Sequence, residues 1–583
     1  MRGSAGTREA GEEGVISRLE RSDWIWGLAG ACAATLVALV LSSAVFGRIP
    51  HVQDSIAQLF QARIFAGGGL WAPAPPAPEI FDYTQVVLAN GRWYSQYPPG
   101  HSLLLMPGVL LGVPWLVNPL LGGLALLGIF LLGLELFGPR VARLALLLGL
   151  VSPFLLLMSA EFMSHAGSLF ALTYFLLFHF RATRTRAVRD AVLAGAFLAL
   201  AVLIRPYSAF AMALPAGVHA LVTLRRKGRD LLKPLALVAA GGAAGVALLL
   251  LYNWGTTGGA FRFGYTALAG PGVGLGFGKG PGAQTHTLAR GLGFTWERIA
   301  GLNGRLFEWP LTSLWPLGVA FIAGGRTTRR GRLWLMLGFP VALLAAYAVY
   351  WYQDANDCFG PRYVYEALGP LLLLSAAGIL TTGEWIAHRL SGKRGGIAAG
   401  GPKDAAKAHA ARGLNGWSVA IAILVLFTLA GGASRWPRLF RSPQAGAMMT
   451  GRDEALARAR SPFDHYGRDY WGVSPDLGEA VGRIPGKAIV FVDTRTSSEV
   501  DALRGRIARQ LVFGSAFAHE EPYLERARVV FAHLTPPRWT APPGDAGDAL
   551  LHLVAAHVQR FPGRTPYVYQ PGRMTAPEEI HLE

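Results

Sequence analysis

Charge is scarce in this sequence: only 15% of its 583 residues are Asp, Glu, Lys or Arg, against 52% apolar residues and a mean hydropathy of +0.34. A water-soluble fold of that length needs more polar surface than this, so a soluble globular protein is excluded. Cysteine is nearly absent. Cys32 and Cys358 are too far apart to offer a disulfide framework or a metal-ligand spacing, and no metal or cofactor is expected. No internal repeat of the kind that builds many transporters is visible. The C-terminal 150 residues contain neither a phosphate loop nor a nucleophile motif.

What is abundant is long apolar runs. Residues 120–137, 141–158, 235–252 and 419–429 carry at most one charge each, and a run near 20 residues crosses the hydrocarbon core as a helix, because backbone groups in lipid must pair within their own segment. The pattern predicts an all-α polytopic membrane domain over 1–433 with eleven spans, at 24–46, 115–137, 141–159, 165–180, 191–205, 207–224, 235–252, 311–324, 333–351, 364–385 and 417–431. The run 101–113 is too short to span and has a proline inside, so it reads as a re-entrant or interfacial helix. The first span lies too deep in the chain, and is too long, for a cleaved signal peptide; it reads as an uncleaved anchor.

Basic residues set the expected orientation. The segment 434–583 holds 19 basic against 17 acidic residues, so +16 of the formal +18 belongs to the membrane part. There it gathers in four clusters: Arg181 to Arg189, Arg225 to Lys233, Arg326 to Arg332, and Arg389 to Arg412. The positive-inside rule makes these cytoplasmic, together with the N-terminus. A nucleic-acid partner is not expected, since helix ends at a membrane account for the charge. The loops 47–100 and 253–310, the residues around Cys358, and a soluble α/β domain over 434–583 then face the extracytoplasmic side. In that domain 488–492 and 529–533 read as buried strands with a helix over 500–513 between them. In the first loop, 83–88 and 93–97 flank Asn90-Gly91, a hairpin signal. The second loop is glycine-rich and reads as mobile.

Asp54 is the most informative residue. It follows the first span closely and precedes Ile56, Leu59, Phe60 and Ile64 at helical spacing. A helix N-cap and a catalytic carboxylate are both consistent with that place. Further on come Tyr97-Pro98-Pro99-Gly100-His101, Glu161-Phe162-Met163-Ser164-His165, Ile204-Arg205-Pro206-Tyr207, Tyr252-Asn253-Trp254-Gly255 and Phe359-Gly360-Pro361-Arg362-Tyr363. In order and sidedness this series resembles the polyprenyl-phosphate-dependent glycosyltransferases of the GT-C fold, the superfamily of the protein O-mannosyltransferases and the aminoarabinose transferase of lipid A. The resemblance covers roughly 24–382. It departs from the commonest pattern at Asp54-Ser55, where many members carry an Asp-Glu pair.

The resemblance implies hexosyl or pentosyl transfer from a polyprenyl-phosphate donor to a hydroxyl of a lipid, glycan or protein acceptor, in a bed of membrane lipid. Asp54 would be the general base. The leaving phosphate needs cations rather than an acid, and His101, Arg205 and Arg362 would supply them. Glu161, His165, Asp357 and Tyr363 would complete the donor site. Each has a plainer reading: Arg205 snorkelling to headgroups, Glu161 and His165 pairing with each other at helical spacing, Asp357 and Arg362 forming a solvated local ion pair, and Tyr83, Trp93, Tyr94 and Tyr97 forming an interfacial aromatic belt. Two other function classes share these features: a lipid or glycolipid flippase, and a non-catalytic envelope assembly protein with a transferase-like fold.

Overall fold

The computed structural model describes residues 20–280, 285–322, 329–353, 359–392, 415–432, 473–494, 513–534, 546–570, 574 and 576–581. Helices begin where the long apolar runs do: α1 (Arg21–Val40, continued by a π turn over Leu41–Val45), α4 (Val117–Phe137), α5 (Pro139–Leu150), α6 (Pro153–Ala160), α7 (Ser164–Thr185), α8 (Val188–Ile204), α9 (Pro206–Lys227), α10 (Leu232–Thr257), α13 (Trp315–Ile322), α14 (Arg329–Ala348), α15 (Leu368–Gly392) and α16 (Gly416–Gly431). Each of the eleven expected spans coincides with one of these helices or, for 141–159, with α5 and α6, which meet at a 58° bend. Length and apolarity sufficient to cross a membrane belong to six of them among the described residues, or seven with the bent pair. The shortfall has a physical cause. α7 carries buried His165, Ser168, Thr173, His179 and Thr183 and is an interior helix, α8 and α16 are short, with 17 and 16 residues, and α13 is described only over Trp315–Ile322.

The packing follows membrane rules. Phe210, Leu214, Val218 and Leu221 form an exposed apolar stripe on α9, as a lipid-facing surface requires. α8 and α10 approach closely: a Cβ on Gly241 would lie 2.4 Å from the Gly195 backbone, so the crossing depends on small residues. Three basic clusters meet at one end of the bundle. Arg186 pairs with Asp230 at 2.7 Å, Arg332 donates to the Leu136 carbonyl at 2.7 Å, and Arg143 pairs with Asp23 at the start of α1 at 3.1 Å. Most of the fourth cluster lies outside the described residues.

At the other end, after α1, lie α2 (Gln53–Ala66), the strands β1 (Ala72–Pro73), β2 (Val86–Ala89) and β3 (Arg92–Ser95), and α3 (Pro99–Leu110). The expected hairpin is present, with Ala89 opposite Arg92 and with φ of 54° at Asn90 and 70° at Gly91, the left-handed pair that a tight two-residue turn demands. β1 pairs with the outer edge of β3. α3 is the short helix expected at 101–113; it packs on α2, α7 and α8. The second loop is not simply irregular, because it contains α11 (Gly264–Ala269) and the 18-residue amphipathic α12 (Leu288–Arg305), which packs against α14.

The C-terminal unit is α/β. Around α17 (Asp476–Val481) and α18 (Ala546–Val558) a sheet is ordered β5-β4-β6-β7, from β4 (Ala488–Val492), β5 (Val529–His533), β6 (Thr565–Tyr569) and β7 (Glu578–Glu579). β4 pairs parallel with both β5 and β6, and the five residues of β4 and of β5 are all buried, which is why both read as unbroken apolar runs. The helix expected over 500–513 falls almost entirely outside the described residues. The unit shares one hydrophobic core with the first loop: Phe60, Phe81, Tyr83 and Trp93 pack with Phe513, Phe517 and Val490, and the Tyr83 and Phe517 rings stack at 4.4 Å.

Candidate functional site

α2 begins one residue before Asp54, and its N-cap is Val52, which has no side chain to cap with. Asp54 is therefore not the cap. The approach to α2 is instead fixed by Glu161, from the turn between α6 and α7: its Oε1 accepts from the backbone N–H of His51 (2.9 Å) and Val52 (3.3 Å), just ahead of the helix, and from Ser55 Oγ (2.6 Å) in its first turn. Burial pushes the Glu161 carboxyl up to about 7, opposed by these three donors. The turn holding Glu161 is fixed by its carbonyls: Asn118 Nδ2 donates to those of Glu161 and Met163, and His101 Nε2 meets that of Phe162 at 2.9 Å.

Freed from capping, Asp54 turns to Arg362. Its Oδ2 accepts from Arg362 Nη1 at 3.1 Å, with the Arg362 side chain 6% exposed and that of Asp54 21% exposed. The Tyr97 hydroxyl donates to Gln85 Oε1 at 3.3 Å, and burial first, then the nearby Asp54 carboxylate, holds its phenol well above the usual range. Asp357, the expected partner of Arg362 in a solvated local pair, lies outside the described residues.

Arg205 does not snorkel. It sits at the break between α8 and α9, 2.8 Å from Glu366 Oε1 and 3.2 Å from the Tyr347 hydroxyl. Tyr363 lies between the two arginines. Its ring stacks on Tyr347 at 4.4 Å and an interplanar angle of 4°, and the guanidiniums of Arg205, Arg298 and Arg362 lie 5.6, 5.6 and 5.5 Å from its centroid. His165 is buried in the first turn of α7, 6.3 Å from the Tyr365 ring, and neither of its ring nitrogens has a hydrogen-bond partner among the described residues. It does not pair with Glu161, because α7 starts at Ser164 and the helical spacing that would align them is broken.

The sequence thus named a set that largely converges: Asp54, Arg205, Arg362 and Tyr363 meet around one aromatic pair, with His165 within electrostatic reach of both arginines. His101 departs from its expected role. Burial pulls it down to about 4, so it is neutral near pH 7 and its Nε2 is committed to a carbonyl; it holds the 161–163 turn rather than offering a cation. Among the described residues no group of three or more His, Cys, Asp or Glu is placed to hold a metal ion. A cavity of about 300 Å³ lies elsewhere, lined only by C-terminal residues such as His519, Glu521 and Arg528.

With fold and site in view, the solved structures can be compared. The chain matches the crystal structure of ArnT from Cupriavidus metallidurans bound to undecaprenyl phosphate over 94% of its own length and 93% of that chain, at 14% identity and a TM-score of 0.50. The chain has the GT-C fold. The apo state of ArnT gives 15% identity with the same coverage and score. The archaeal oligosaccharyltransferase AglB from Archaeoglobus fulgidus, in complex with an inhibitory peptide and a dolichol-phosphate, is similar at 14% identity over 94% of this chain and 70% of that one, with a TM-score of 0.40. The sequence model described as dolichyl-phosphate-mannose-protein mannosyltransferase matches residues 108–254. No curated protein matches in sequence. The apolar helices and the GT-C fold together make this an integral membrane protein.

Three members of this cluster escaped the sequence reading: Glu366, Tyr347 and Arg298. A signal existed for Glu366, a carboxylate at the head of an apolar run and four residues after Arg362, because an ionisable group there is a functional candidate by default. Arg298 was masked by the glycine-rich loop around it. Only the amphipathic pattern of Leu288, Leu292 and Trp296, exposed on the face opposite buried Arg298, marks the helix that carries it.

Proposed function

We propose that the protein is a membrane glycosyltransferase that moves a sugar from a polyprenyl-phosphate donor to an acceptor hydroxyl on the extracytoplasmic side. The observation that carries the reading is the pair Asp54–Arg362, formed across 308 residues of sequence beside a ring, that of Tyr363, shared with two further guanidiniums. A carboxylate and a cluster of arginines at one point are what this transfer needs. The acceptor oxygen attacks the anomeric carbon while Asp54 takes its proton, and the bond to the phosphate oxygen breaks as negative charge grows on the leaving phosphate. Arg362 and Arg205 lie where that charge would be met by preorganised donors. The stacked rings of Tyr363 and Tyr347 lie against the guanidiniums, and His165 offers an unused ring nitrogen to a sugar hydroxyl.

The bundle's two ends support this side. Basic clusters gather at one end, and by the positive-inside rule that end is cytoplasmic; the Asp54 end is then extracytoplasmic. ArnT binds undecaprenyl phosphate in the structure that this chain resembles, which supports the donor class.

The test is an assay of purified protein with labelled polyprenyl-phosphate sugars. Asp54→Asn keeps the side chain's shape and should lower turnover about 10²–10⁴-fold while donor binding survives. Arg362→Ala should weaken donor binding and turnover together. Near-normal turnover by Asp54→Asn would remove the base assignment and favour a flippase or assembly role.

A further inference from the structure

α2 is held at both ends, by different parts of the molecule. Its first turn is tied to Glu161, which accepts from Ser55 Oγ and from the His51 N–H just ahead of the helix. Its last turn is gripped by the C-terminal unit: Arg63 donates from Nη1 to the Glu520 carbonyl and from Nη2 to the Ala518 carbonyl, both at 2.8 Å, and Tyr523 donates its hydroxyl to the Ile64 carbonyl at 3.2 Å. The fit is close enough to require glycine beneath the tyrosine, since a Cβ on Gly67 would lie 2.1 Å from the Tyr523 ring and one on Gly69 2.5 Å from its hydroxyl.

The gripping segment is itself fixed. The carbonyls that Arg63 reaches close a helical turn over 513–517, where a cation is favourably placed. Glu520 turns its carboxylate inward to accept from the Phe531 N–H of β5 at 2.9 Å. Phe517, from the same turn, packs on Phe60 of α2 at 5.0 Å. Hence Arg63 is anchored to the central sheet of the C-terminal unit, and not to a loose surface strand.

Asp54 and Arg63 are nine residues apart, which is two and a half helical turns. They lie on opposite faces of α2, about 14 Å apart along its axis. One face meets Arg362 and the other meets the C-terminal unit. We propose that the C-terminal unit acts on transfer through this helix, with Arg63 and Tyr523 as positioning residues that hold α2 in the orientation at which Asp54 faces Arg362. The proposal rests on the reading of Asp54 as the base. Because a misplacement of about 1 Å can cost about 10²-fold in rate, a clamp at the far end of a short rigid helix is enough to govern the chemistry at the near end.

The experiment uses the full-length protein in nanodiscs, as Arg63→Ala, Arg63→Lys and Tyr523→Phe, alone and combined with Asp54→Asn. Arg63→Ala should lower kcat about 10- to 10²-fold, with the affinity for polyprenyl phosphate within about twofold of the unmutated protein and Arg63→Lys recovering part of the loss. On the Asp54→Asn background Arg63→Ala should add no further loss, because both act at one carboxylate. Amide exchange over 53–58 should quicken in Arg63→Ala, a readout that needs no activity. Should Arg63→Ala fail to fold, Tyr523→Phe, which removes a single hydroxyl, carries the same measurements. Unchanged exchange over 53–58, or a loss that multiplies in full on Asp54→Asn, would overturn the proposal. So would a fall in donor affinity equal to the fall in kcat. Failure of the transferase reading looks different: the unmutated protein transfers no sugar, while the exchange measurement still decides whether Arg63 controls the N-terminal turn of α2.

Discussion

At the residue scale, Glu161 shows how a side chain that reads as a ligand can be spent on structure. Its carboxylate ties down the segment that leads into α2 and the hydroxyl of Ser55 in the first turn, a role the sequence hides because donors and acceptor are more than 100 residues apart. The burial of this contact also raises its carboxyl from the ordinary 4.5 to about 7. An acid with a raised folded-state pKa binds more protons folded than unfolded across that interval, so its contribution to stability is fully present below about 4.5 and is lost as pH rises through about 7. Thermal unfolding in detergent between those limits should therefore show the unmutated protein losing stability with rising pH relative to Glu161→Gln. Parallel pH profiles for the two would contradict this account of Glu161.

At the scale of elements, legibility follows the range of the forces involved. The hairpin at Asn90-Gly91 was readable because two adjacent residues dictate the turn. The long helices and the strands β4 and β5 were readable because unbroken apolar runs need no distant partner to announce burial. The Arg205–Glu366 pair was not, because each side chain is explained only by the other and tertiary packing alone brings them together. The interior position of α7 was likewise hidden, since its polar residues face neighbouring helices rather than water. The α8–α10 crossing offers a direct check on membrane packing. Gly241→Val places a branched side chain where a single Cβ already comes within 2.4 Å of the Gly195 backbone. Overpacking of this kind typically costs about 1–3 kcal/mol. A melting temperature equal to that of the unmutated protein would mean the two helices do not pack as described.

At the scale of the whole molecule, the first loop and the C-terminal unit form one body rather than a domain hung on a membrane anchor. Tyr83 and Trp93 from the first loop and Phe517 from the C-terminal unit belong to the same core, so the boundary expected near residue 433 separates sequence more than it separates structure. Sidedness is open to a simple measurement. Asn90, Arg226 and Glu525 are exposed; single cysteines at these positions, in a chain without Cys32 and Cys358, should divide into two classes under an impermeant reagent. Positions 90 and 525 should label from outside intact cells, and position 226 only after the membrane is opened. Labelling of 90 and 226 from the same side would overturn the orientation.

The contact between Asp54 and Arg362 also bears on the order of events. Arg362 is a counter-ion to Asp54 at 3.1 Å, so the carboxylate is occupied until an anion draws the guanidinium away. A donor phosphate can do that; a neutral acceptor cannot. Substrates should therefore add in a compulsory sequence, donor before acceptor. In initial-rate kinetics an unreactive acceptor analogue is then expected to inhibit uncompetitively against the donor, since it binds only the complex that the donor has already formed. Competitive inhibition by that analogue would mean the carboxylate is free from the start.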